Sequence, residues 1–243
     1  MSSPYDEQEF FDQYLQFARQ RLGLAGAPEW PTMEALLPAM ERVAVLDLGC
    51  GLGWFAAWAI EQGAASVDAV DNSERMLSEA RVRHGLHRIT YHRADLDTDE
   101  LPAGPFDVAF SSLALHYVAD FAGLAARIAA VLRPGGTLVF SVEHPIFTAP
   151  TTVGSTQLDG REVWPLDRYA DEGERVRSWL VDGVRKHHRT VATHVNTLIG
   201  AGFQIDHMCE YGPEEALVAE TPTLQIDRDR PAFLIMRATR VDP

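Results

Sequence analysis

Val45-Leu46-Asp47-Leu48-Gly49-Cys50-Gly51-Leu52-Gly53-Trp54-Phe55 is the stretch of this chain best equipped for chemistry. An apolar run leads into three glycines spaced by two and then into an apolar helix pattern. Glycines there let backbone come close to a ligand, and a helix start offers free N–H groups to negative charge. A loop built to hold a pyrophosphate prefers its third glycine one place later, where this chain carries Trp54. Asp47, inside the apolar run, is suited to fixing the loop or to answering an ammonium group. Further acids and histidines follow the later apolar runs: Asp71, Asp95, His116, and the pair Glu143-His144 before Pro145.

The elements that must position these groups can be read from periodicity. Apolar and aromatic residues from Phe10 to Ala18 recur at helical spacing until Gly23 and Gly26, and Pro31 opens a second short helix ending near Pro38. From residue 43 strands alternate with helices: strands at 43–48, 66–71, 89–92, 106–111 and 137–142, helices at 54–60, after Ser73, and at 121–132. Pro134-Gly135-Gly136 reads as a sharp reversal before the fifth strand. Such alternation predicts an α/β, doubly wound, Rossmann-like and mostly parallel sheet covered on both faces. Residues 147–190 break the rhythm with Trp164, Tyr169, Trp179 and two β-like runs around Asp182-Gly183, a two-residue hairpin signal. They are expected to form an inserted β cap on the substrate side. A helix at 191–201 and strands at 204–211 and 233–240 complete the sheet. The expected organisation is therefore an N-terminal helical segment (1–40), a core (41–146), the cap (147–190) and the rest of the core sheet (191–243).

At this point the chain resembles the class I S-adenosylmethionine (SAM)-dependent methyltransferases, of the small-molecule, type 11-like kind. The resemblance rests on the glycine loop, Asp71 ending the second strand, Arg93-Ala94-Asp95-Leu96, the run Phe106 to Tyr117, and Leu132-Arg133-Pro134-Gly135-Gly136-Thr137-Leu138. It implies a seven-stranded sheet, SAM as cofactor and S-adenosylhomocysteine (SAH) as product. It also implies that Asp71 takes the ribose hydroxyls, since a carboxylate accepts two hydrogen bonds side by side, and that Asp95 accepts from the adenine amine. Asp47, Gly49, Cys50, Gly51, Gly53, Asn72, Met76, Leu96, Ser111 and His116 complete the implied cofactor set.

SAM carries an already activated methyl, so the protein must align a nucleophile and exclude water. A base is needed only for an acceptor such as a phenol or an ammonium. His116, just past the fourth strand, is a candidate pocket wall or base. Glu143 and His144 should face the substrate, because open α/β sheets bind ligands beyond the carboxyl ends of their strands. Of 9 histidines, the others read as surface or packing residues. Tyr14, Trp164, Tyr169 and Trp179 are candidate acceptor-binding aromatics, suited to a flat or cationic group.

Composition narrows the partners. The 243 residues hold 21 Lys and Arg against 35 Asp and Glu, a net charge of −14 that disfavours nucleic acid and anionic membranes. No stretch approaches the roughly 20 apolar residues of a bilayer span, and the N-terminus has no signal-peptide pattern. Cys50 and Cys209 fit no metal spacing, so no metal is expected, and a reduced, cytoplasmic protein is. Ser111-Ser112-Leu113-Ala114 stands where amino methyltransferases of nucleobases carry Asn/Asp-Pro-Pro-Tyr/Phe. The expected partner is a small-molecule acceptor methylated on O or N, and the expected form a monomer or homodimer. A non-catalytic SAM/SAH-binding sensor or assembly protein and a nicotinamide-dependent oxidoreductase remain the alternatives, the second disfavoured by loop spacing and by the absence of a Tyr-x-x-x-Lys pair.

Overall fold

Val45, Leu46 and Leu48 are fully buried, so β1 (Ala44–Leu48) has apolar side chains on both faces. Only a strand covered on both sides can hide them, which fixes β1 near the middle of a parallel sheet. The computed structural model describes residues 4–152 and 154–242. Ahead of β1 lie α1 (Gln8–Tyr14), α2 (Ala18–Arg21) and α3 (Trp30–Leu36). After it come α4 (Trp54–Glu61), β2 (Ser66–Asp71), α5 (Glu74–His84), β3 (Ile89–Arg93), β4 (Phe106–Ser112), α6 (Phe121–Val131) and β5 (Leu132–Glu143). Then follow α7 (Pro145–Thr148), β6 (Thr156–Leu158), β7 (Arg161–Val163), β8 (Gly173–Trp179) and β9 (Val181–His188). The chain continues with α8 (Val191–Gly200), β10 (Phe203–Tyr211), α9 (Glu215–Glu220), α10 (Gln225–Asp229) and β11 (Phe233–Arg240).

The seven-stranded sheet runs β10-β11-β5-β4-β1-β2-β3, parallel except where β11 meets its two neighbours. The chain winds outward from β1 to β3 and then returns to β4 on the other side of β1. That switch leaves a crevice above the carboxyl ends of β1 and β4. One face of the sheet is packed by Leu124, Ile128 and Leu198 against Leu46 and Phe140; Phe55, Ile60 and Met33 cover the other against Val45, Phe110 and Ile235. Helix starts are held by side-chain caps: Ser73 accepts from Met76 N–H at 3.1 Å and Asp120 from Gly123 N–H at 2.9 Å. No helix among the described residues is long and apolar enough to cross a membrane.

Two local expectations change. Asp182-Gly183 is not the hairpin turn; the chain reverses at Leu180 (φ +60°), pairing Trp179 with Val181, and Asp182-Gly183 forms a bulge in β9. Gly183 takes φ +85° and Asp182 accepts a 2.5 Å bond from Ser178 Oγ, so a bulge uses the same residue chemistry that suggested a turn. Pro134-Gly135-Gly136 likewise does not separate helix from strand: β5 begins at Leu132, and its pairing with β4 jumps from Phe106–Leu132 to Val108–Thr137 across the irregularity. The stretch 147–190 contributes two antiparallel hairpins, β6-β7 and β8-β9.

Candidate active site

The crevice is a cavity of about 1000 Å³, bounded by the N-terminal helices, the ends of β1, β2, β4 and β5, and the β8-β9 hairpin. That is at the upper end of the range for small-molecule sites, ample for two ligands side by side. Asp47, Gly49, Cys50, Gly51, Asp71, Asn72, Met76, Asp95, Leu96 and His116 line it, as do Tyr14, Trp179 and Glu143.

At the β1–β2 end the loop is shaped by glycine. Gly49 has φ +73°, and a Cβ there would sit 2.3 Å from Cβ of Ala114. Gly51 has φ +52° and nothing within 4 Å of the corresponding point, so its backbone faces open cavity. Asp71 fastens this loop: Oδ2 accepts from Gly51 N–H and Oδ1 from Ser73 N–H, both at 2.9 Å. Each oxygen keeps a lone pair for a ligand hydroxyl. Burial raises its pKa, opposed by those two backbone bonds. Asp47 is nearly fully buried, and its Oδ2 has no hydrogen-bond partner. Burial, reinforced by the charge of Asp71, lifts its pKa to about 8. An orphaned carboxyl oxygen in a cavity wall is a place for a cation.

Gly53 and Ser111 serve the loop from behind. Gly53 is the left-handed residue that caps α4, beside Tyr91. Fully buried Ser111 donates from Oγ to the Leu48 carbonyl at 2.8 Å, joining the ends of β4 and β1. Neither is among the residues lining the cavity.

At the β4–β5 end the walls are aromatic and charged. Glu143 Oε1 accepts from Lys186 Nζ at 2.5 Å, and that nitrogen lies 4.9 Å from the Trp179 ring centre and 5.8 Å from that of Tyr117. Tyr5 donates to the Tyr117 hydroxyl at 3.2 Å. Trp179 stacks on Phe17 at 6.0 Å and meets Tyr14 edge-on at 6.2 Å. The cap hairpin and the N-terminal helices thus meet over the crevice. Burial raises the phenol pKa of Tyr5, of Tyr117 and of Tyr14, the last to about 12, so all three stay protonated. Burial holds His116 down to about 4, and its Nδ1 accepts from Glu143 N–H at 3.3 Å. His116 is therefore a neutral wall whose other nitrogen carries the proton. Burial alone would lift the Glu143 carboxyl; His116 and Lys186 outweigh it and hold it below the usual range.

Glu143 and His144 part company because Glu143 is the last residue of β5, whereas His144 lies just beyond the strand as the N-cap of α7. His144 turns from the cavity: its Nδ1 accepts from Ile146 N–H at 3.2 Å, capping α7, and its Nε2 meets Glu210 at 2.9 Å. Trp164 and Tyr169, expected at the acceptor, are not among the lining residues. Trp164 packs near Arg230, 5.1 Å from its guanidinium carbon, and Tyr169 is held at the base of the cap, its hydroxyl accepting from Val191 N–H and its carbonyl from His188 Nε2. Lys186 and Tyr117 escaped the sequence reading. The signal for Lys186 was present, since Val184, Lys186 and His188 alternate as the buried positions of β9, but the polar run Arg185 to Arg189 disguises that period as a solvated strand.

Comparison with known proteins agrees with this geometry. A family model described as a methyltransferase domain matches residues 45–136. The chain is similar to a crystal structure of an S-adenosylmethionine-dependent methyltransferase from Mesorhizobium loti, with 50% identity and a TM-score of 0.86 over 90% of this chain and 100% of the other. A putative S-adenosylmethionine-dependent methyltransferase from Listeria monocytogenes is 37% identical, with a TM-score of 0.83 over the same shares. The trans-aconitate 2-methyltransferase of Deinococcus radiodurans is 33% identical over 157 residues, covering 61% of this chain and 57% of that protein.

Proposed function

Because the chain belongs to the SAM-dependent methyltransferases, we propose that it methylates an oxygen or nitrogen of a small-molecule acceptor held beneath the β8-β9 hairpin. The observation that carries this reading is the single cavity joining two unlike ends. One end has the open backbone at Gly51, the carboxylate of Asp71 and the unpartnered oxygen of Asp47. The other has Glu143 and the rings of Tyr14, Tyr117 and Trp179.

The residues at the first end fit the cofactor. Asp71 would take the ribose hydroxyls on its remaining lone pairs, Asp95 and Leu96 would flank the adenine, and Asp47 would answer the α-ammonium group. SAM supplies a methyl on a cationic sulfur, activated before it enters. The protein's share is to orient the acceptor and keep water out. Tyr14, Phe17 and Trp179 close the roof by packing on one another, and His116 forms a wall. Acceptor size is limited by a cavity that the cofactor partly fills, which supports a small molecule. The trans-aconitate enzyme similar to part of this chain is named for one as well.

Calorimetric titration with SAM, SAH and NAD tests this reading, after mass spectrometry for co-purified ligand. Binding of SAM and SAH at micromolar Kd without binding of NAD is expected. A folded, ligand-free protein that ignores SAM overturns it.

A further inference from the structure

Resting on the methyltransferase reading above, the geometry points to an amine on an aromatic or apolar frame as the methyl acceptor, received by Oε2 of Glu143. Lys186 occupies Oε1 alone, and Oε2 takes no hydrogen bond from the described residues. The Glu143 side chain is 28% exposed, while that of Lys186 behind it is 7% exposed. The group facing the cavity is thus the carboxylate, and the lysine is its clamp. Around it stand the rings of Tyr14, Phe17, Tyr117 and Trp179, while Glu174, Asp182 and Arg185 of the hairpin bring charge to the same cavity.

The chemistry of this end sorts the acceptor classes. A hydroxyl or phenol must give up a proton as it reacts, so it needs a base. None stands beside Glu143: the three tyrosines are protonated, His116 is neutral with its Nδ1 lone pair engaged, and Glu143 is held ionised below the usual carboxyl range. His187, one residue from Lys186 on β9 and so on the other face of that strand, also lines the cavity, but the charges that act on it are those of Arg189, Asp97, Glu174 and Arg185 rather than that of Glu143. A carboxylate acceptor needs no base, but it would meet Oε2 of Glu143 as a like charge. A neutral amine meets neither obstacle. It enters after losing its extra proton to bulk water and donates N–H to Oε2. Its lone pair forms the new N–C bond while the C–S bond breaks and that pair stays on sulfur, leaving neutral SAH. The positive charge passes from sulfur to nitrogen, beside the fixed carboxylate, where it is stabilised as it develops. The product leaves as an N-methylammonium ion.

The test compares three near-isosteric probes, 2-phenylethylamine, 2-phenylethanol and 3-phenylpropanoate, titrated into the wild-type SAH complex at a pH where the amine is part neutral. The amine is expected to bind about ten- to a hundredfold more tightly than either other probe, the range of one hydrogen bond to a charged group. Glu143→Gln should remove most of that preference while SAH binding persists. Equal or tighter binding of the alcohol or carboxylate, or no binding of the amine to a complex that holds SAH, overturns the proposal. If Glu143→Gln does not fold, the wild-type ranking decides alone. Failure to bind SAH at all would instead defeat the methyltransferase reading, and this inference with it.

Discussion

The two ends of the cavity are built by different means. At the β1–β2 end, the groups come from strand ends and the turns just after them, and much of the contact surface is backbone. Gly49, Gly51, Asp71 and Asp95 are each put in place by the strand they follow, and strand order brings them together. At the β4–β5 end, Tyr5, Tyr117, Glu143, Trp179 and Lys186 come from five separate stretches, two of them in the cap hairpin. The difference teaches that the sheet fixes the end proposed for the cofactor, while the end proposed for the acceptor is completed by the cap hairpin and the N-terminal helices. Damage at one end should therefore be separable from damage at the other.

The largest expected effect breaks the acceptor end alone. Lys186→Met leaves a mostly covered carboxylate without its cation, a loss of about 2–4 kcal/mol in folding stability. Denaturant unfolding should show it, with SAH affinity in the folded fraction little changed. An unchanged unfolding midpoint would mean that the hairpin is not fastened through Glu143.

Next in size is the reverse experiment. Asp71→Ala removes the carboxylate proposed to accept the ribose hydroxyls and frees Gly51 N–H and Ser73 N–H. SAH affinity should fall by about 1–3 kcal/mol, roughly five- to 150-fold. Calorimetry measures it, and an unaltered Kd would remove Asp71 from the cofactor site.

This contrast also decides what could be read without a structure. The glycine loop, Asp47, Asp71 and Asp95 are legible because their positions follow from strand ends and a local motif. The sheet itself was legible for the same reason, through strands alternating with helices. The acceptor end was not. Trp164, Tyr169 and Trp179 look equivalent in sequence, and the reversal at Leu180, with its bulge at Asp182-Gly183, is part of what aims only Trp179 inward. Glu143 was found from its strand end, but its partner lies 43 residues on, in a run whose charges suggest solvent.

Asp47→Asn should give a smaller effect with opposite signs on stability and binding. The Asp47 carboxyl has a folded-state pKa of about 8 against 3.8 for the free group. Below about pH 4 it is protonated in both states and carries no penalty. Between these values the unfolded chain ionises it and the folded chain does not, so stability falls as pH rises. Asparagine abolishes that slope. The ligand-free variant should be about 1–2 kcal/mol more stable at pH 7, with a flatter pH dependence between 4 and 8, and should bind SAH less tightly. A less stable variant would show that the carboxylate is paired in solution.

The smallest effect is expected one residue from the largest. Arg185 pairs with Glu174 at 2.9 Å, but both side chains are substantially exposed, at 56% and 42%. Water screens such a pair, and ordering two long side chains offsets much of its attraction. Arg185→Ala should therefore change the unfolding free energy by less than about 0.5 kcal/mol. The two cations are neighbours on β9 and differ in the face they occupy, since alternation buries Lys186 and exposes Arg185. If both substitutions cost the same, the strand does not keep this register in solution. If only Lys186→Met is costly, the cap is held by one buried ion pair rather than by its general basic charge.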